Sequence, residues 1–373
     1  MTSIPEYPLD LSILGSYFLL IGVLAWLISP QLLQSFRSTS TSSSFEGRLL
    51  FLGLAGASFI ATWSYMFAFF AHSYVTWKTY YGVEQAFSLN VMSQWLHGVT
   101  LFDDAWRTVC TGDWAWLWSI QLCTFTVAVW TPLIAIEGYR RRIPNVWAYM
   151  IFGQVVAIST SSALFFAVCL LYQQRKSSSS STPSWILIGS LYLASIGGLA
   201  TVHRTPHLTD SDAFLPNLLI MHGLLVLPLI YLALTGTPVS ASATTTEQVK
   251  SPEHTKSYAI ITLYTIGSLS NIYLISQQWM QTITAVVTPQ EILTQLLSTF
   301  LQHPAQSSIS SDVVCVYAIS MAWMLVNGSP SILTFSLVLL TLVLSPSVTL
   351  PVYLALDEYR NLSTLRRLSN KTD

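Results

Sequence analysis

Acidic, basic and aromatic side chains concentrate in one short stretch of the chain. In order they are Trp95, His97, Asp103, Asp104, Trp106 and Arg107. On a helix, Asp103 and Arg107 lie four residues apart and can pair on one face. Asp103 and Asp104 would point about 100° apart, so only one of them can face an interior. A carboxyl group held out of water can act as a general acid. Alternatively, this stretch is a solvated helix at the membrane interface, and its ion pair has no catalytic role.

Glu137 is the second candidate acid, because it ends an apolar run just before Arg140, Arg141 and Arg142. At a membrane boundary its carboxylate can simply pair with those arginines. Otherwise it is partly desolvated, and desolvation suits a carboxyl group to general-acid chemistry. Asp103 and Glu137 bracket a run of about 20 residues, so we expect them near opposite membrane faces.

Gln154 is a polar side chain about two turns inside another apolar run, over 146–172. An amide at this depth needs a hydrogen-bond partner, which is either a neighbouring helix or a bound substrate.

The composition places these residues in a membrane protein. Of the 373 residues, 52% are hydrophobic and 9% are charged, whereas a soluble domain carries roughly 25% charged residues. A helix needs about 20 apolar residues to cross a bilayer. The sequence therefore predicts an all-α fold, a polytopic integral membrane helix bundle of about eight or nine transmembrane helices in one domain over 1–373. The predicted spans are 11–33, 49–72, 114–137, 146–172, 185–202, 214–235, 257–278, 312–328 and 331–356.

Polar connectors separate these spans. Serine- and threonine-rich tracts near 37–46, 174–184 and 237–257 bury too little apolar area to become ordered, which predicts flexible loops. A C-terminal tail is predicted over 358–373. The stretch 87–109 is periodic but polar, which predicts an amphipathic helix at the interface or tucked into the bundle.

The basic residues predict an orientation. With nine spans, ten of the 16 Lys and Arg residues fall on one side, Arg204 among them, and six fall on the other, including Arg175 and Lys176. Positive charge favours the cytoplasmic side. We therefore expect the N-terminus in the lumen, the C-terminus in the cytoplasm, and a multi-pass protein of the endoplasmic reticulum.

Several function classes are disfavoured. The net charge of −1 and the scattered basic residues argue against a nucleic-acid partner. The four cysteines form no CxxC pair, and no HExxH motif or nucleotide-binding lysine loop occurs. The paired aspartates Asp103 and Asp104 fall short of the several carboxylates that hold magnesium diphosphate. We therefore expect no metal site and no cofactor.

Three motifs together resemble the fungal membrane-bound terpene cyclases of the ascofuranone and ascochlorin type. They are Leu101-Phe102-Asp103-Asp104-Ala105-Trp106, Glu137-Gly138-Tyr139-Arg140, and the run from Gly153 to Ser159 with Leu164-Phe165-Phe166. The similarity is strongest over 45–172, and beyond that it rests on hydropathy and length.

The resemblance implies a step in meroterpenoid biosynthesis. The substrate would be a lipophilic prenylated aromatic, with a terminal epoxide made by a separate oxygenase of the pathway. The cyclase protonates the epoxide and steers the cation to a ring, without a redox cofactor or a metal. Asp103 and Glu137 carry over as candidate acids, and Asp104 is a close neighbour that stays open. Gln154 and His97 are candidates for orienting a substrate oxygen or taking the final proton, and Trp95 and Trp106 for contacting the cation.

Other functions remain open. The chain could export a lipophilic secondary metabolite, since transporters use broken helices inside the membrane. It could cyclise farnesyl diphosphate directly, which would require magnesium. It could also be a non-catalytic scaffold or sterol-binding protein.

Overall fold

The computed structural model describes residues 5–37, 42–172, 182–235, 250–284, 288–328 and 330–369. Within these ranges the chain is mostly helical and has no strand, which confirms the predicted all-α bundle. The helices are α1 (Pro8–Arg37), α2 (Ser42–Tyr80), α3 (Leu89–Gly98), α4 (Leu101–Cys110), α5 (Asp113–Arg141), α6 (Val146–Val155), α7 (Ile158–Leu171), α8 (Trp185–Arg204), α9 (Phe214–Thr235), α10 (Lys250–Ile283), α11 (Pro289–Leu301), α12 (Pro304–Asn327), α13 (Ile332–Leu344) and α14 (Pro346–Ser369).

Seven of the described helices are long and apolar enough to cross a membrane: α1, α2, α5, α8, α9, α10 and α12. Helix α5 is the central one and is buried along almost its whole length. Thr126–Trp130 forms a π-helical segment within it, directly before Thr131-Pro132. Proline cannot donate the next helical hydrogen bond, and a wider turn accommodates its ring.

The predicted span 146–172 is instead a helical hairpin, α6 followed by α7. Helix α6 runs antiparallel to α1. At its start Gln31 Nε2 donates to the carbonyl of Pro144 at 3.1 Å, and at its end Tyr17 Oη donates to the carbonyl of Val155 at 2.6 Å. The chain thus passes from one end of α1 into the bundle over residues 146–155.

Helix α7 then returns to the face where α6 began. Ser161 Oγ donates to the carbonyl of Tyr149, so the two arms lie side by side. At the far end of α7, Arg141 Nη1 donates to the carbonyl of Cys169 at 2.6 Å. The hairpin is therefore re-entrant: it enters the bundle and leaves on the same face.

The predicted span 331–356 is a second re-entrant hairpin, α13 and α14, with its turn at Ser345 (φ +78°). Inside the bundle, Asn271 Nδ2 of α10 donates to the carbonyl of Ser347 at 2.6 Å. Back at the face, Asn327 Nδ2 at the end of α12 donates to Tyr353 Oη at 3.3 Å. Both hairpins enter from one side, which we call the C face because α14 ends there. The side on which α1 begins is the N face.

The hairpins change which charges share a side. Of the Lys and Arg residues in the described ranges, three lie at the N face: Lys78, Arg107 and Arg204. Ten lie at the C face: Arg37, Arg48, Arg140, Arg141, Arg142, Lys250, Lys256, Arg360, Arg366 and Arg367. The nine-span prediction placed Arg204 with Arg140, and Lys250 and Lys256 with Lys78. All three are on the wrong side, because that prediction took 146–172 for a crossing.

The ends of helices also differ from the predicted loops. Residues 38–41, 174–181 and 237–249 of those loops lie outside the described residues. The described remainder is largely helical, since α2 begins at Ser42 and α10 at Lys250. Helix α14 continues to Ser369 through most of the predicted tail. The amphipathic stretch forms α3 and α4 at the N face.

Cysteine labelling tests this topology. We expect Asp212→Cys, at an exposed position between α8 and α9, to react from the same side of sealed vesicles as Tyr80→Cys at the end of α2. Tyr359→Cys in α14 should react from the opposite side. If the Asp212→Cys thiol reacts from the same side as the Tyr359→Cys thiol, the nine-span arrangement is correct.

Candidate functional site

Helix α4 turns its two adjacent carboxylates in different directions. Arg107 Nε donates to Asp103 Oδ2 at 2.6 Å, as the four-residue spacing predicts. Arg107 Nη1 also donates to the carbonyl of Thr209, and the guanidinium lies 4.7 Å from the centroid of Phe214. Asp103 is thereby tied to the segment that leads into α9. Its Oδ1 is buried and has no hydrogen-bond partner among the described residues.

Asp104 faces a cleft at the N face instead. The cleft has a volume of about 360 Å³ and lies between the end of α2, the α3–α4 turn, α4 and the start of α12. Asp104 is exposed there and accepts a hydrogen bond from Thr100 Oγ1 at 2.8 Å. Four aromatic and two imidazole side chains line the same cleft: Phe69, Trp77, Tyr80, Tyr81, His72 and His303. A volume of this size is typical of small-molecule sites.

The close approach of the α3–α4 turn to α2 requires glycine. A Cβ atom at Gly98 would lie 2.7 Å from Trp77 Nε1. Without a side chain, the turn packs directly on the indole of Trp77, and this contact helps place α4 beside α2.

The two histidines of the cleft are in contact, with ring centroids 5.0 Å apart. His303 Nδ1 accepts from the backbone N–H of Ala305 at 3.2 Å, which caps α12. Burial, and then His72, lower the pKa of His303 below its ordinary value. The ring is therefore neutral at pH 7, with its proton on Nε2. The cleft thus offers a hydrogen-bond donor at His303 and a potential proton acceptor at His72.

The predicted tryptophans do not line this cleft. Trp95 is buried behind it, and its Nε1 donates to Ser73 Oγ, a residue of the wall, at 3.2 Å. Trp106 lies on the Asp103 side of α4 and stacks on His222 of α9, with centroids 6.0 Å apart. Trp95 therefore supports the cleft wall, whereas Trp106 joins α4 to α9.

His97 lies at the surface of the N face. Its Nδ1 is 3.1 Å from Asp10 Oδ2, and its ring stacks on Tyr7 at 3.7 Å. These contacts attach α3 to the start of α1.

Glu137 lies at the C face in a buried network of charges. Arg141 Nε donates to Glu137 Oε2 at 2.8 Å, and Arg140 Nη1 lies 3.8 Å from Glu137 Oε1. Arg140 also pairs with Glu358 of α14 at 2.7 Å. The carboxylate thus pairs with the arginines that follow it, and the network joins α5 to the second hairpin.

The turn of the first hairpin frees backbone groups from helical hydrogen bonds, and side chains of other helices bind them. Trp63 Nε1 donates to the carbonyl of Val156 at 3.2 Å. Asp312 of α12 accepts from the N–H groups of Ile158 at 3.1 Å and Ser159 at 2.8 Å. Helix starts favour anions, and a buried N–H group needs an acceptor. Asp312 therefore caps α7 from a distant helix. Gln154, one turn away, has a buried Nε2 with no partner among the described residues.

Asp312 is the functional candidate that sequence reasoning missed. Its side chain is buried, and among the described carboxylates it alone is buried without an arginine, lysine or histidine in ion-pair distance. The predicted span began at Asp312, whereas α12 begins eight residues earlier. Pro304 was the available signal, because proline favours the first turn of a helix.

In the described ranges, no group of three or more His, Cys, Asp or Glu side chains is arranged to hold a metal ion.

The fold defines a class: an α-helical membrane bundle of seven long apolar helices and two re-entrant hairpins. A family model described as "Protein of unknown function DUF2834" matches residues 269–359, from α10 to α14. No curated protein and no solved structure matches the chain. The family match covers about a quarter of the chain, and its description assigns no activity.

Proposed function

We propose that this protein is a membrane-bound terpene cyclase that opens the terminal epoxide of a prenylated aromatic in the cleft of Asp104. One observation carries the proposal: a carboxyl group, two imidazoles and four aromatic rings line one cleft at the N face. The substrate class comes from the resemblance of the sequence motifs. Localisation in the endoplasmic reticulum and an epoxidising oxygenase as partner belong to the same proposal.

Each polar side chain of the cleft has a separate role in the reaction. His303 Nε2–H donates a hydrogen bond to an oxygen of the substrate. Asp104 gives a proton to the epoxide oxygen, and the C–O bond breaks to leave a hydroxyl group and a carbocation. An alkene of the chain attacks the cation, and the aromatic faces stabilise the charge. His72 takes the proton lost at the end, and exchange with water returns a proton to Asp104. The net reaction is an isomerisation.

Asp104 is preferred over the other candidate acids because of their partners. Arginine favours the ionised form of a neighbouring carboxyl group. Asp103 is paired with Arg107, and Glu137 with Arg140 and Arg141. Guanidinium groups therefore occupy the oxygens of these two carboxyl groups, whereas Asp104 faces the cleft where a substrate can reach it.

We expect Asp104→Asn to lower the conversion of a synthetic ω-epoxyfarnesyl phenol by a factor of about 100 or more, the range of general-acid catalysis. The assay measures a cyclised isomer of unchanged mass, with and without EDTA. Asp212→Asn, an exposed carboxylate of the same face, should leave the rate unchanged. Conversion that needs magnesium would point to the diphosphate reaction. If conversion is lost with Asp103→Asn but not with Asp104→Asn, Asp103 is the acid.

Transport is the second candidate, and the two re-entrant hairpins favour it. Discontinuous helices whose ends lie inside the membrane form the substrate sites of many transporters. Here the start of α7 is paired with the buried Asp312 carboxylate. A transporter would accumulate the lipophilic compound unchanged in proteoliposomes. A cyclase would convert the compound to an isomer without accumulating it.

A further inference from the structure

Two adjoining openings, separate from the cleft, follow helices α8 and α10. The first is a groove of about 590 Å³ between the middle parts of these helices, with mostly apolar walls. The second is a pocket of about 170 Å³ at the N face, where both helices meet the start of α5. Leu274 lines both, so the groove and the pocket adjoin at this side chain.

The pocket is polar. Its hydrogen-bonding residues are Asp113, His203, His207, Gln277, Gln278 and Gln281. No lysine or arginine is among its lining residues, although these are the side chains that usually bind phosphate. The pocket therefore suits an uncharged head group with hydroxyls better than the head group of a phospholipid.

The groove contains one polar group that a plain hydrocarbon chain would leave unsatisfied. Ser195 is 4% exposed, and its buried Oγ has no hydrogen-bond partner among the described residues. Serines in helices commonly bond back to their own backbone, as Ser190 Oγ does to the carbonyl of Leu187 at 2.8 Å. A chain that carries an oxygen at this depth would supply the missing partner.

The spacing of these features fits a chain with a polar group near each end. Ser195 precedes His203 by eight residues, or about 12 Å along α8. From Leu263 to Leu274 the groove follows α10 for about 16 Å, which is about the length of an extended farnesyl chain. The head group and the distal oxygen of an epoxidised farnesyl phenol are separated by a comparable distance.

We infer that α8 and α10 form a holding site for the intact epoxide, with the phenol in the polar pocket and the epoxide oxygen at Ser195. The identity of the ligand rests on the proposed function. No Asp or Glu lines the groove, so the epoxide is not opened there. The site keeps the lipophilic substrate, made by an oxygenase, within the protein before it reaches the cleft.

Photolabelling in phosphatidylcholine nanodiscs tests the site. The probe is a farnesyl phenol with a diazirine on the ring, in an epoxide and an alkene form. We expect saturable labelling of α8 and α10. Ala200→Trp places an indole in the groove at an exposed position and should reduce labelling at least tenfold. Leu193→Trp, exposed on the same helix but outside the groove, should leave it unchanged.

Ser195→Ala tests the epoxide contact. A single neutral hydrogen bond corresponds to a factor of about five in affinity. The substitution should weaken binding of the epoxide probe by about that factor and leave the alkene probe unaffected. Equal binding of both probes to the original protein and to Ser195→Ala would overturn the contact. A photoreactive phosphatidylcholine that labels the groove and resists displacement by the phenol would overturn the site.

Conversion measured in the same samples separates this inference from the proposed function. If the protein cyclises the epoxide while α8 and α10 stay unlabelled, the holding site is wrong and the cyclase stands. If the groove is labelled saturably but nothing is converted, the binding site stands and the cyclase reaction fails.

Discussion

We expect Asp312→Leu to reduce the amount of folded protein strongly. Asp312 accepts from the N–H groups of Ile158 and Ser159 at the turn of the first hairpin, and leucine leaves both without an acceptor. Each buried unsatisfied group costs about 1–3 kcal/mol. Two of them remove a large part of a typical stability of about 5–15 kcal/mol. The yield of monodisperse protein in detergent and its unfolding temperature measure the effect.

Glu291 provides the matched control. It too accepts a backbone N–H at the start of a helix, from Thr288 at 3.0 Å, but at an exposed position. Water replaces the lost acceptor there, so Glu291→Leu should cost about 1 kcal/mol or less. Asp312→Asn keeps one carbonyl acceptor and should fall between the two. Equal unfolding temperatures for Asp312→Leu and Glu291→Leu would show that the hairpin turn does not depend on this cap.

Glu137→Gln should destabilise the protein by about 3–5 kcal/mol, because it leaves a buried guanidinium without its carboxylate. Arg141 is 1% exposed and donates to Glu137 at 2.8 Å. Unfolding in detergent, followed by the fluorescence of the tryptophans, measures the loss. Adding Arg141→Met removes the uncompensated charge and should recover part of the stability.

The pair of Asp103 and Arg107 is the natural comparison, because it has the same four-residue spacing but is partly exposed. Because this pair is less buried than that of Glu137 and Arg141, Asp103→Asn should cost less stability than Glu137→Gln. If Glu137→Gln instead stops conversion without lowering stability, Glu137 is the acid of the reaction and its arginines serve catalysis.

The candidate site was only partly predictable from the sequence. The stretch 95–107 was identified because charges are rare in this chain, and it does border the cleft. Which of Asp103 and Asp104 faces that cleft depends on the contact of Arg107 with Thr209 and Phe214, about 100 positions away. His72 and His303 are more than 200 residues apart, so no local pattern joins them.

Hydropathy alone determined that the chain is an all-α membrane bundle, because burying backbone groups in lipid requires helices and long apolar runs. It also located the seven long helices. Only the tertiary structure decided that 146–172 and 331–356 turn back inside the bundle. A helix can break at that depth only where other helices satisfy the freed backbone groups. For the first hairpin those partners are Tyr17, Trp63 and Asp312, which lie too far along the chain for the apolar run itself to reveal the turn.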